Sequence, residues 1–157
     1  MPRQRLTFRL NFTVLAVALG VTVIDALTKY WARRQLVHRN DHVIGPLWLK
    51  LQYNTGVSFS IDRSLPLVTT IATVVIAVVV VGVGLRATRG TPTLGFGLLI
   101  GGGVANVIDR LAASPHEVTD FIAVGSFPIF NAADAAITVG FLVLMFAALR
   151  GERLLAR

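Results

Sequence analysis

The stretch Leu65–Leu85, LPLVTTIATVVIAVVVVGVGL, contains no charged residue. About 20 consecutive apolar residues suffice to cross the hydrocarbon core of a bilayer, so this segment alone identifies the solvent as lipid. Three further apolar segments flank it: Phe12 to about Trp31, Thr93–Ile108 and Ala135–Leu149. The last two reach spanning length only if their polar ends, Asp109 and Asn131–Asp134, lie at membrane depth. The expected fold is an all-α integral membrane protein with four transmembrane helices and a small extracytoplasmic β-hairpin or sheet. Residues 1–157 form a single domain in this reading, since 157 residues leave no room for a second.

Composition agrees. The chain is 54% hydrophobic and 15% charged, above the apolar content of ordinary soluble domains. Its net charge of +7 would point to nucleic acid in a soluble protein. Here the basic residues flank apolar runs, where cytoplasmic loops and anionic headgroups favour them, so no nucleic-acid partner is expected. Cysteine is absent, which removes disulfides, thiolate metal sites and a Cys nucleophile. The first segment begins with Arg3, Arg5 and Arg9, as a signal peptide would, but runs into Asp25 and Lys29 without a small-residue cleavage site, so it reads as a retained span.

Arginine density sets the orientation. Residues 1–9, 86–92 and 150–157 carry eight Lys or Arg in 24 residues, against seven in 60 for residues 29–64 and 110–133. Both termini are therefore expected in the cytoplasm, although Arg33 and Arg34 run against the count. This topology carries Asp25, Lys29, Asn106, Asp109, Arg110, Asn131 and Asp134 to the outer end of the bundle. An aspartate at the centre of a spanning helix costs roughly 2.5–3.5 kcal/mol, so acids retained there are candidates for function.

In the first outer loop, Leu47–Tyr53 and Val57–Ile61 both alternate with period two around Asn54-Thr55-Gly56, the pattern of a β-hairpin. Its apolar face either rests on the helices or cradles a lipidated ligand. Gly95, Gly97 and Gly101–Gly103 are spaced for close helix approach.

Each candidate for chemistry has a plainer explanation beside it. Asp134 follows Asn131 by three residues, which also fits a capped helix start. Asp120, in Val118-Thr119-Asp120-Phe121-Ile122, could be a solvated acid on a strand-like segment. Asp109 could be an anchor paired with its neighbour Arg110. Asp25 and Lys29 stand four apart on one helix face, spaced for an ion pair. His38, Asp41 and His42 lack the Glu of a His-Glu-x-x-His site and a third ligand, so no metal or other cofactor is expected. Ser58 and Ser60 could pair with a lysine as nucleophiles but match the polar face of a strand. The residues thus yield four helices with an acidic outer pocket, leaving open a carboxylate peptidase, a proton-coupled transporter or a lipid-binding membrane protein.

Five motifs occur in order: Asp25-x-x-x-Lys29, Asn54-Thr-Gly-Val-Ser-Phe-Ser60, Gly101-Gly-Gly-Val-Ala-Asn106-Val-Ile-Asp109-Arg110, Val118-Thr-Asp120-Phe121 and Phe130-Asn131-Ala-Ala-Asp134. Together they resemble the signal peptidase II family over nearly the whole chain, departing at Ala105, where Gly is commoner, and at Ser58, where Ala is. The resemblance implies an aspartic endopeptidase of the bacterial inner membrane, cutting diacylglyceryl-modified prolipoproteins just before the lipidated cysteine. It implies Asp120 and Asp134 as the catalytic pair and Asn54, Gly56, Asn106, Arg110 and Asn131 as substrate-binding residues. Asp25, Lys29 and Asp109 become structural supports. It further implies contact with membrane lipids, inhibition by globomycin-like cyclic peptides and a monomer that needs no cofactor.

Overall fold

Four helices carry most of the chain: α1 (Thr13–Gln35), α2 (Leu65–Gly84), α3 (Thr91–Ala112) and α4 (Ala132–Leu149). Between them run three short strands, β1 (Asp41–Ile44), β2 (Leu47–Asn54) and β3 (Val118–Val124). The computed structural model describes residues 10–55, 65–113 and 116–156. All four helices are long and apolar enough to cross a membrane. The two spans that looked short gain their missing length at their polar ends, since α3 runs on through Asp109 and Arg110, and α4 starts directly after Asn131 and takes in Asp134.

The third helix is the hub, packed against α1, α2 and α4. Glycines make that possible. A Cβ on Gly101 would stand 2.6 Å from the Ala18 carbonyl oxygen of α1, and one on Gly102 would strike the Ala133 carbonyl of α4. Gly95 and Gly97 are equally crowded, whereas Gly103, grouped with them by sequence, faces open space. Ala105 is buried without preventing this approach. The other helices turn large apolar side chains outward, including Leu19 and Leu27 on α1, Ile76 and Val78 on α2 and Phe141 and Phe146 on α4. Such a belt is stable only against lipid.

At one end of the bundle the strands form an antiparallel sheet in the order β1-β2-β3. Gly45, at φ 50°, and Pro46 make the tight turn between β1 and β2. Across the other edge of β2, Tyr53 pairs with Thr119 and Gln52 with Asp120. The first strand of the expected hairpin is thus present, but its described partners are β1 and β3. Its anticipated partner Val57–Ile61, with Gly56, Ser58 and Ser60, lies outside the described residues. Leu49 and Leu51 of β2 and Ile122 of β3 pack on Ala32, Leu36 and Phe121, so this apolar face rests on the end of α1.

The opposite end is tied mainly by backbone. Asn11 N–H donates to the Leu85 carbonyl (2.8 Å), Thr88 N–H to Leu154 (3.0 Å) and Ala156 N–H to Arg86 (2.7 Å). The buried Asn11 Nδ2 adds bonds to the Ala87 carbonyl and to Thr93 Oγ1.

Candidate active site

The most deeply buried large side chains of this lipid-facing protein include Lys29, Asn131, Asp25 and Asp120. Burying such groups is tolerable only when each is paired and hydrogen-bonded. Here they form one network beneath the sheet.

On α1, Lys29 Nζ reaches Asp25 Oδ2 at 2.6 Å and Asp109 Oδ2 at 3.2 Å, so the predicted Asp25–Lys29 pair is present and enlarged by α3. Asp109 does not pair with Arg110 as its position suggested. Successive residues on a helix point in different directions, and Asp109 instead bonds Lys29, Arg33 Nη2 (3.2 Å) and the Thr119 N–H (3.0 Å). The last bond pins the start of β3. Asp25 Oδ1 crosses to α4 and accepts the Ala133 N–H at 2.8 Å.

That bond helps to cap α4, whose start is otherwise closed by its own residues. Asn131 Oδ1 accepts from Asp134 N (2.9 Å), and Asp134 Oδ2 accepts from Asn131 N (3.2 Å), a reciprocal capping box. The capped-helix reading of Asp134 is therefore correct, and its carboxylate is held in place by it. Phe130 pairs with Ile122 along the free edge of β3, which brings Asn131 up to Asp120.

The two carboxylates are served by three amides. Asp120 Oδ1 accepts from Asn131 Nδ2 (2.6 Å) and Oδ2 from Asn54 Nδ2 (3.0 Å). Asp134 Oδ1 accepts from Asn106 Nδ2 (2.8 Å). Asp120 is buried and Asp134 half-buried, so the two meet different solvent. Burial pushes the Asp120 carboxyl up to about 6; the charge of Asp134 adds to this, while bonds from Asn54 and Asn131 and the charge of Lys29 oppose it. Arg110 stands within electrostatic reach of Asp109, Asp120 and Asp134. Its Nε is buried with no hydrogen-bond partner among the described residues.

The structure thus gathers Asp25, Lys29, Asn54, Asn106, Asp109, Arg110, Asp120, Asn131 and Asp134, drawn from five elements. Gly56 lies outside the described residues. Arg33 was missed as a member. It stands one turn beyond Lys29, on the face that already carries Asp25 and Lys29, and that spacing could have revealed it. His42 does something else: Nε2 lies 3.0 Å from the Gly45 carbonyl, and the ring packs on Trp48.

Against known proteins, the family model described as Signal peptidase (SPase) II matches residues 17–150. The chain belongs to the signal peptidase II family. The lipoprotein signal peptidase of Rhodococcus jostii (strain RHA1) is 30% identical over 96% of this chain and 79% of its own length. That of Chlorobium phaeobacteroides (strain BS1) is 36% identical over 80% and 88%. A bacterial membrane enzyme solved by the in meso method at 1.9 Å superposes with a TM-score of 0.79, at 27% identity over 91% of this chain and 97% of that one. As a member of that family, the chain is a multi-pass bacterial membrane protein and a peptidase.

Proposed function

We propose that this peptidase removes the signal peptide of diacylglyceryl-modified prolipoproteins by aspartic catalysis, with Asp120 and Asp134 as the dyad. Membership of the family supports the substrate class. The observation that carries the mechanism is Asn131, whose side chain binds Asp120 while its backbone N–H binds Asp134. One residue holds both carboxylates to a common site. Asp25 and Asp109, by contrast, are occupied by cations and backbone donors.

Neighbouring carboxylates resist joint ionisation, and one proton serves both. Asp120, buried and raised to about 6, is the member better suited to receive that proton. Asp134, in the first turn of α4, is the member left to act as the base. Asp134 takes a proton from water as the oxygen attacks the scissile carbonyl, and Asp120 gives its proton to the carbonyl oxygen. The tetrahedral adduct then collapses: Asp134 returns its proton to the leaving nitrogen, the C–N bond breaks, and Asp120 recovers the hydroxyl proton. Asn54, Gly56, Asn106, Arg110 and Asn131 position substrate and dyad.

A cavity of about 480 Å³ lies beside Asp134, lined by Phe127, Pro128, Ile129, Phe130, Thr138 and Val139. Its apolar wall suits a substrate whose cleavage site sits at the lipid surface. Residues 1–157 act as one monomeric unit in contact with lipid, both termini cytoplasmic and the dyad at the outer face. Globomycin-like peptides block it. A proton carrier would use acids along its spans; here they collect at one end, and α2 has none.

Purified protein is expected to cleave a diacylglyceryl-modified prolipoprotein, and Asp120→Asn or Asp134→Asn to lose about 10²–10⁴-fold in kcat while remaining folded. The two losses should not add, since the pair acts as a unit. Substantial cleavage by either variant would end the aspartic reading. For topology, a cysteine at Asp41 should react with an impermeant thiol reagent in intact cells and one at Thr88 should not.

A further inference from the structure

Lys29 makes more bonds than its ion pairs require. Its ammonium is wholly buried and has three hydrogens, which meet Asp25 Oδ2, Asp109 Oδ2 and, at 2.9 Å, Asn106 Oδ1. Two carboxylates already balance the cation, and Asp109 has Arg33 as a second partner. The third hydrogen goes to a neutral amide that itself touches Asp134.

An amide has one accepting end and one donating end of nearly the same shape. An ammonium can only donate, so Asn106 must turn Oδ1 toward Lys29 and Nδ2 toward Asp134. The reversed amide would set donor against donor at Lys29 and oxygen against oxygen at Asp134. Asn131 Nδ2, 3.3 Å from Asn106 Oδ1, favours the same direction. Asn131 is itself fixed by the Asp134 N–H on its Oδ1. Both amides between the carboxylates are thereby held with their donors facing the acids.

We propose that Lys29 is a positioning residue for the reaction, fixing the Asn106 amide so that it donates to Asp134 and keeps that carboxylate ready to accept a proton from water. This rests on the dyad reading above. Among the described residues, the charged groups in the network that meets the two carboxylates are Asp25, Lys29 and Arg33 from α1, and Asp109 and Arg110 from α3.

The test is a mutant cycle on kcat, KM and the pH profile of purified protein. Lys29→Met is made with Asp25→Asn, so that no unpaired acid is left behind, and is compared with Asp25→Asn alone. Asn106→Leu, which leaves the ion pairs intact, supplies the second arm, and the triple variant closes the cycle. Each arm should lower kcat at least tenfold and should move the acid limb of the profile to higher pH. The triple variant should be no worse than the poorer arm. An unmoved acid limb in folded Asn106→Leu, or losses that multiply in the triple variant, would overturn the positioning role. If the Lys29 arm fails to fold, Asn106→Leu alone decides by its acid limb. Cleavage by Asp134→Asn would instead overturn the dyad itself, a separate result.

Discussion

The two ends of the bundle are built by opposite means. At the end formed by Asn11, the α2–α3 turn and the C-terminal segment, most of the ties are backbone N–H to carbonyl bonds, such as Ala156 to Arg86 and Thr88 to Leu154. At the sheet end, beneath the strands' own backbone ladder, the helices are tied by side chains: Lys29 to Asp25 and Asp109, Asn106 to Asp134, and Asn131 to Asp120. Backbone ties tolerate many residues at each position. Side-chain ties require the particular residue, so vulnerability concentrates at the end that carries the proposed site.

The sharpest way to break this contrast is to remove a charge from the sheet end. Asp25 has Lys29 as its ion partner, whereas Lys29 also holds Asp109. Lys29→Met should therefore lose roughly 3–5 kcal/mol, the cost of an uncompensated buried charge. Asp25→Asn added to it should restore part of that stability, because Asp109 keeps Arg33. Thermal unfolding in detergent measures both; a double variant no more stable than Lys29→Met would show that the pair is not the dominant tie.

A milder probe uses pH. The Asp120 carboxyl stands at about 6 in the folded protein against 3.8 unfolded. The folded state therefore binds more protons between these values, and stability falls as pH rises through that window. Asp120→Asn lacks this contribution. The stability of wild type relative to the variant should drop by about 3 kcal/mol between pH 3.5 and pH 6.5, at ~1.36 kcal/mol per unit. A constant difference across the window would place Asp120 in a more solvated setting.

The smallest effect belongs to the other end. Asn11→Ala takes the donor from the Ala87 carbonyl and from Thr93 Oγ1, which still donates to the Thr88 carbonyl, and should cost about 1–2 kcal/mol with kcat unchanged. A fall in kcat comparable to that of the dyad variants would mean that the two ends are coupled.

How far the sequence carried this picture depended on distance along the chain. Spans follow from local hydropathy, and the Asp25–Lys29 pair and the Asn131–Asp134 cap from spacings of four and three. The glycines of α3 were legible as a set, but which helix each one meets was not. Strand β1 was hidden because Asp41–Ile44 is short and half polar, and its pairing is decided by Trp48 and Leu49. The pairing of β2 with β3 joins segments separated by two helices, so no local pattern records it. Likewise nothing near Asp120 reveals that Asn54 lies 3.0 Å away; only resemblance to a family put those residues together beforehand.

Lys29, Arg33 and Arg110 have a consequence for life in an energised membrane. With one proton shared by Asp120 and Asp134, as the proposed mechanism requires, Asp25, Asp109 and that pair carry three negative charges, which these three cations offset. A net charge displaced through the full membrane potential gains or loses about 2.3 kcal/mol per 100 mV. A cluster that sums to zero feels no such pull, so cleavage should run at the same rate in polarised and depolarised vesicles.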